Sequence, residues 1–164
     1  MNPPPLCQLG GEETFPQYQA RFDQLYPTPV IDVLGRSVRF ENESCHHVCF
    51  ERPAGQKFAK VPRDQWRQEC ADRIEWIKHA LTAPYEIRPG NRPGYDVYLV
   101  SWEVWSTVGR ARDRFLVSAE VEGPAMVRFV TAYAANLDTW NKARDIGPCR
   151  YPPPKPKKNR GNNK

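Results

Sequence analysis

The sequence predicts an α+β domain in which N-terminal helices pack on a three- to four-stranded antiparallel sheet. Three observations carry this. Apolar residues recur at spacings of three and four in the first half of the chain. After Pro84 the segments become rich in β-branched and aromatic residues, and short runs of turn-forming residues separate them.

The elements follow in order. From Phe15 to Tyr26, the residues Phe15, Tyr18, Phe22 and Leu25 make one apolar stripe on a short helix, which Pro27 and Pro29 stop. Val30–Leu34 and Ser37–Phe40 flank Gly35-Arg36 and read as a weak hairpin. The next stretch, ENESCHHVCFE, fits strand and helix equally. A second helix is expected after Pro62, over Asp64–Leu81, with Trp66, Cys70, Ile74, Ile77 and Leu81 on its buried face. Ala83-Pro84 ends it, because a residue before proline is pushed out of the α region.

Four strands are expected next: Tyr85–Arg88, Tyr95–Trp105, Arg114–Val121 and Val127–Ala134. Their connections are too short for parallel crossovers, so the pairing must be antiparallel. Along Arg114–Val121, Phe115, Val117, Ala119 and Val121 take one face, while Arg114, Leu116, Ser118 and Glu120 take the other. One face is packed and the other is partly wet. A short helix near Leu137–Arg144 closes the domain.

The 164 residues suit a single domain over residues 12–150. A disordered N-terminus, residues 1–11, carries Pro3, Pro4 and Pro5. A basic tail over residues 151–164 contains PPPKPKKNRGNNK, which has no apolar surface to bury beyond its prolines. Net charge is +5, but five of the 24 lysines and arginines lie in that tail, leaving 19 to balance 19 carboxylates. The domain is near neutral, which argues against a wholly basic nucleic-acid-binding face. Five cysteines in no framework spacing, with no signal peptide and no apolar span, fit reduced thiols, a cytoplasmic setting and no membrane.

Two stretches carry chemistry. In MVRFVTAY, the last strand, strict alternation puts Thr131 and Tyr133 on one face and Arg128 on the other, so Arg128 joins them only through a twist or bulge. In CHHVCFE, two of the three histidines are adjacent, and adjacent side chains point apart. One of His46 and His47 can therefore face a shared cleft, with a pKa suited to proton transfer. A zinc site from Cys45, Cys49 and these histidines is the alternative chemistry. Four ligands so close in sequence cannot surround one tetrahedral ion, and no second pair completes a site.

The histidine segment CHHVCFE, the helix ADRIEWIKHAL running into APYEI, and RFVTAY on the last strand follow one another in order over Cys45–Ala134. In this the chain resembles the phage and polymorphic-toxin branch of the barnase, EndoU, colicin D and RelE-like ribonuclease superfamily. The resemblance implies a barnase- or RelE-like fold and a metal-independent, cofactor-free endoribonuclease. In such an enzyme the 2′-hydroxyl attacks the adjacent phosphorus to leave a 2′,3′-cyclic phosphate. It implies proton transfer by His46 or His47, a phosphate or hydroxyl contact from Thr131, and a stacking or phosphate contact from Tyr133. Arg128 would join the catalytic set, and Lys57, Lys60, Arg88 and Arg114 would supply charge for substrate. RNA is the implied partner, with a cognate immunity protein as a second. The alternatives are an inactive relative that binds RNA or protein, and a small zinc-binding interaction domain.

Overall fold

The computed structural model describes residues 3–55, 61–106 and 109–151. A 3₁₀ turn, Glu12–Thr14, leads into helix α1, Phe15–Leu25. Its apolar stripe does what the spacing demands: Tyr18 and Phe22 are buried, and Phe15 and Leu25 pack against the same core. Strands β1 (Val30–Ile31) and β2 (Ser37–Arg39) form the hairpin. Gly35 turns it at φ +79°, a left-handed conformation that costs little without a Cβ. The ambiguous stretch becomes helix α2, Ser44–Cys49, followed at once by strand β3, Phe50–Glu51.

The segment Asp64–Leu81 is not one helix. Gln65–Trp66 is strand β4, paired with β3 through Phe50 and Trp66. Helix α3, Gln68–Ala71, and helix α4, Trp76–Thr82, follow with a tight turn between them. The interruption has a visible cause. The Asp72 carbonyl accepts from the Cys7 N–H at 2.7 Å, and the Ile74 carbonyl accepts from the Tyr26 hydroxyl at 2.6 Å. Partners outside the helix thus take acceptors that its ladder would use. The turn instead runs on i−3 bonds from Arg73, Ile74 and Trp76, and these preserve the apolar spacing well enough to bury Cys70, Ile74, Ile77 and Leu81. Residues 3–11 lie against this unit rather than hanging free: Cys7 is buried, and the Trp76 indole donates to the Pro4 carbonyl at 2.9 Å.

Strands β5 (Glu86–Pro89), β6 (Tyr95–Ser106), β7 (Gly109–Gly123) and β8 (Met126–Ala134) form the antiparallel meander. The sheet is larger than three or four strands. The β1–β2 hairpin adds to it, giving six strands in the order β1-β2-β8-β7-β6-β5, and the β2–β8 pair is parallel. Short connections force antiparallel pairing only between consecutive strands; β2 and β8 are far apart in sequence, so nothing forbids a parallel pair. A buried ionic cluster ties the hairpin to the sheet. Arg36 donates to Asp32 (2.9 Å), to Asp96 on β6 (2.8 Å) and to the Tyr98 hydroxyl (2.7 Å).

Helices α1 to α4 cover one face of the sheet, where Phe115, Val117 and Ala119 of β7 meet Val127, Phe129 and Ala132 of β8. Trp76 of α4 stands edge-on to Trp102 of β6 with ring centres 4.7 Å apart. Helix α5, Leu137–Asp145, crosses the other face and buries Trp140 and Ala143 against Val97, Leu99 and Leu116. Asn136 caps α5 by accepting from the Thr139 N–H at 2.8 Å. Tyr151 bridges to Ile87, and the rest of the basic tail lies outside the described residues. Among the described residues no helix is long and apolar enough to cross a membrane.

Candidate active site

The α5 face of the sheet is only partly covered, and beside the helix it opens into a cleft of about 520 Å³. Tyr95 and Val97 of β6, Ser118 of β7, and Val130 and Tyr133 of β8 line it. Four cations complete the lining: Arg52 after β3, Arg63 before β4, Arg92 in the β5–β6 turn, and Lys142 on α5. No carboxylate lines the cleft among the described residues. Gly90 makes room for this arrangement, since a Cβ there would stand 2.7 Å from the Tyr95 Cβ.

Strand β8 reaches this face irregularly. Ser118 pairs with Thr131 but Ala119 pairs with Phe129, so Val130 is an extra residue, a bulge. Paired residues share a face, so the bulge puts Arg128 (opposite Glu120), Thr131 (opposite Ser118) and Tyr133 (opposite Leu116) together. Val127, Phe129 and Ala132 turn into the main core. The bulge that Arg128 needed is present. Its guanidinium is nonetheless fully engaged, with Glu120 in close contact, Glu41 at 3.5 Å and Glu122 at 3.6 Å. Arg128 does not line the cleft.

The two histidines part company. His46 stacks on Phe50 with ring centres 4.6 Å apart and meets the edge of Phe15 at 5.9 Å. That is an aromatic packing role. His47 turns toward β8: its ring lies beside the backbone of Val130, a cleft residue, and Nε2 lies 3.7 Å from Glu43. Burial pushes its pKa below the ordinary value, Arg63 and His46 push the same way, and Glu43 and the Val130 backbone oppose them. The imidazole is therefore neutral at neutral pH, the state a proton acceptor requires.

The Thr131 hydroxyl is occupied too. It donates to the His47 carbonyl at 2.9 Å, fixing the backbone that carries the imidazole. Arg67 reinforces the same junction by donating to the carbonyls of Val48 (2.6 Å), His47 (3.0 Å) and Ala132 (3.3 Å). Thr131→Val should therefore lower stability by about 0.5–1.5 kcal/mol, measurable by urea unfolding, because one hydrogen bond between α2 and β8 disappears. Tyr133 is partly buried, which raises its pKa and keeps its hydroxyl protonated.

The expected charge contacts are distributed differently. Arg88 donates to Glu86 (2.7 Å) and to the Gly147 carbonyl (3.0 Å). Among the described residues the Arg114 side chain reaches the Arg112 carbonyl, at 3.4 Å. Lys57 and Lys60 lie outside the described residues. The cations that do line the cleft were missed by sequence reasoning; the nearest signal is that Arg52 and Arg63 flank the histidine segment and the presumed helix start at Pro62. Cys45 and Cys49 are buried with sulfurs 3.9 Å apart. Among the described residues, no group of three or more His, Cys, Asp or Glu side chains is placed to hold a metal ion.

No protein-family model matches the chain, and no curated protein matches it. Among solved structures, one described as "Rd1NTF2_04 with long sheet" is similar at 10% identity with a TM-score of 0.25. The match covers 73% of this chain and 98% of that one.

Proposed function

We propose that this chain is a metal-independent endoribonuclease that holds RNA in the cleft beside α5, with His47 as the proton acceptor. One observation carries the reading: His47, though not itself a lining residue, lies beside Arg63 and Val130, which line a cleft that also holds other cations and tyrosines. In the reaction His47 takes the proton of a 2′-hydroxyl as its oxygen bonds to the adjacent phosphorus. The bond from phosphorus to the 5′-oxygen breaks, and that oxygen leaves with a proton. Tyr133 lines the cleft, and its hydroxyl, which stays protonated, gives the leaving oxygen its proton. The arginines offset the charge that builds on the non-bridging oxygens.

The test is incubation of the purified protein with a single-stranded RNA oligonucleotide in the presence of EDTA, followed by mass spectrometry of the products. Fragments ending in 2′,3′-cyclic phosphate are the expected result. Intact RNA at high enzyme concentration refutes cleavage. A second reading, RNA binding without cleavage, is favoured by the commitment of the Thr131 hydroxyl to the His47 backbone. It gives tight retention of the same oligonucleotide with no products.

A further inference from the structure

Most arginines of this protein have a carboxylate. Arg21, Arg36, Arg39, Arg73, Arg88, Arg112, Arg128, Arg144 and Arg150 all form ion pairs within 4 Å. Arg63 does not. Half-buried at the cleft, it forms no hydrogen bond or ion pair with the described residues. Its neighbours are cations, Arg52 and Arg67, and burial and their repulsion both work against its charge, with Glu51 alone opposing. Among the described residues Arg52 bonds through its Nε alone, to the Val61 carbonyl at 3.0 Å, and its terminal amino groups have no acceptor there.

Two guanidinium groups on one wall of a cleft without carboxylates are costly in the free protein. An anion that joins them removes the repulsion and accepts from several N–H groups at once. We propose that Arg52 and Arg63 form a phosphate subsite that takes one backbone phosphate of an RNA strand. The proposal rests on the ribonuclease reading for the identity of the strand, while the subsite's chemistry requires only a phosphate group. Position adds a consequence. Arg63 is also the cation that bears on His47, so a phosphate bound there shields the imidazole. The groups facing that ring are Glu43 and His46 of its own helix, Arg63, and the backbone of Val130. With Arg63 neutralised, the ring binds a proton more readily, as it must on receiving one from the 2′-hydroxyl.

The experiment uses the full chain and three probes: inorganic phosphate, an uncleavable 2′-O-methyl RNA oligonucleotide and the ordinary RNA. Phosphate should shift the Arg63 Nε–H and His47 ring signals in NMR spectra and raise the His47 pKa. The double variant Arg52→Gln/Arg63→Gln should bind the methylated strand about tenfold or more weakly. Its log Kd against log salt should flatten by about 0.7, the change for one lost phosphate contact on a single strand. Arg63→Gln alone should melt no lower than the original protein, because it removes repulsion; a structural arginine would melt lower. Arg112→Gln, outside the cleft, should change neither affinity nor slope. RNA bound and cut with unchanged affinity and slope in the double variant overturns the subsite and leaves the ribonuclease reading intact. Phosphate shifts without RNA binding or cleavage keep the subsite and overturn the RNA reading. If the double variant does not fold, the phosphate titration of the unaltered protein decides, and an absence of shifts at Arg63 overturns the proposal.

Discussion

His47→Ala should reduce RNA cleavage by roughly 10²–10⁴-fold, the usual contribution of a positioned general base. His46→Ala should leave the rate near its original value and lower stability only, because that ring packs between Phe15 and Phe50. The pH profile separates the two roles further. The His47 pKa lies below the ordinary value of about 6.5. The base is therefore unprotonated through neutrality, and kcat/KM should stay level there. It should fall only as pH drops through the lowered value. An acid limb at or above pH ~6.5 contradicts the assignment, as does equal loss of activity in both single variants.

The largest effect on stability should come from Arg36→Met. Asp32 and Asp96 have no exposed side-chain surface, and Arg36 bonds to both and to Tyr98. Removing one partner of a buried ionic cluster leaves charge without compensation and costs about 3–5 kcal/mol. That is a large fraction of the total stability of a domain, about 5–15 kcal/mol. Tyr98 and Arg150 still serve Asp32 and Asp96, so the lower half of the range is expected. Arg39→Met is the comparison. It also breaks two ion pairs, to Glu41 and Glu122, but at the surface, where solvent screens them, and should shift the urea midpoint far less. Equal urea midpoints for the two variants would show that the buried cluster is dispensable.

What could be read from the sequence follows the range of the interactions involved. The α1 stripe, the hairpin at Gly35, the four meander strands and α5 were legible because local periodicity and turn chemistry determine them. The break between α3 and α4 was not, because its cause lies elsewhere in the chain, in the Cys7 N–H and the Tyr26 hydroxyl. The parallel β2–β8 pair was hidden for the same reason: it joins Ser37–Arg39 to Met126–Arg128, which local sequence pattern cannot connect. At the site, the alternation rule set Arg128 apart from Thr131 and Tyr133, and one extra residue at Val130 reversed that. The choice between His46 and His47 needed the packing of α2. The cleft arginines carry no periodic signal, so nothing in the sequence ranked Arg52 and Arg63 above the other basic residues.

The outer side of β8 beyond Arg128 has a consequence for how the protein behaves at high concentration. There β2 has ended, and no strand among those described takes its place. Exposed backbone of this kind invites a second molecule to add its own strand, and repetition of that step makes fibres. Side chains stop it here. The His47 ring lies beside the backbone of Val130, the Arg67 guanidinium donates to the Ala132 carbonyl, and the buried Cys70 thiol lies beside the backbone of Ala134. The proposed proton acceptor thus also serves as a guard against self-association, and a protein stripped of its imidazole should be the one that clouds first on concentration.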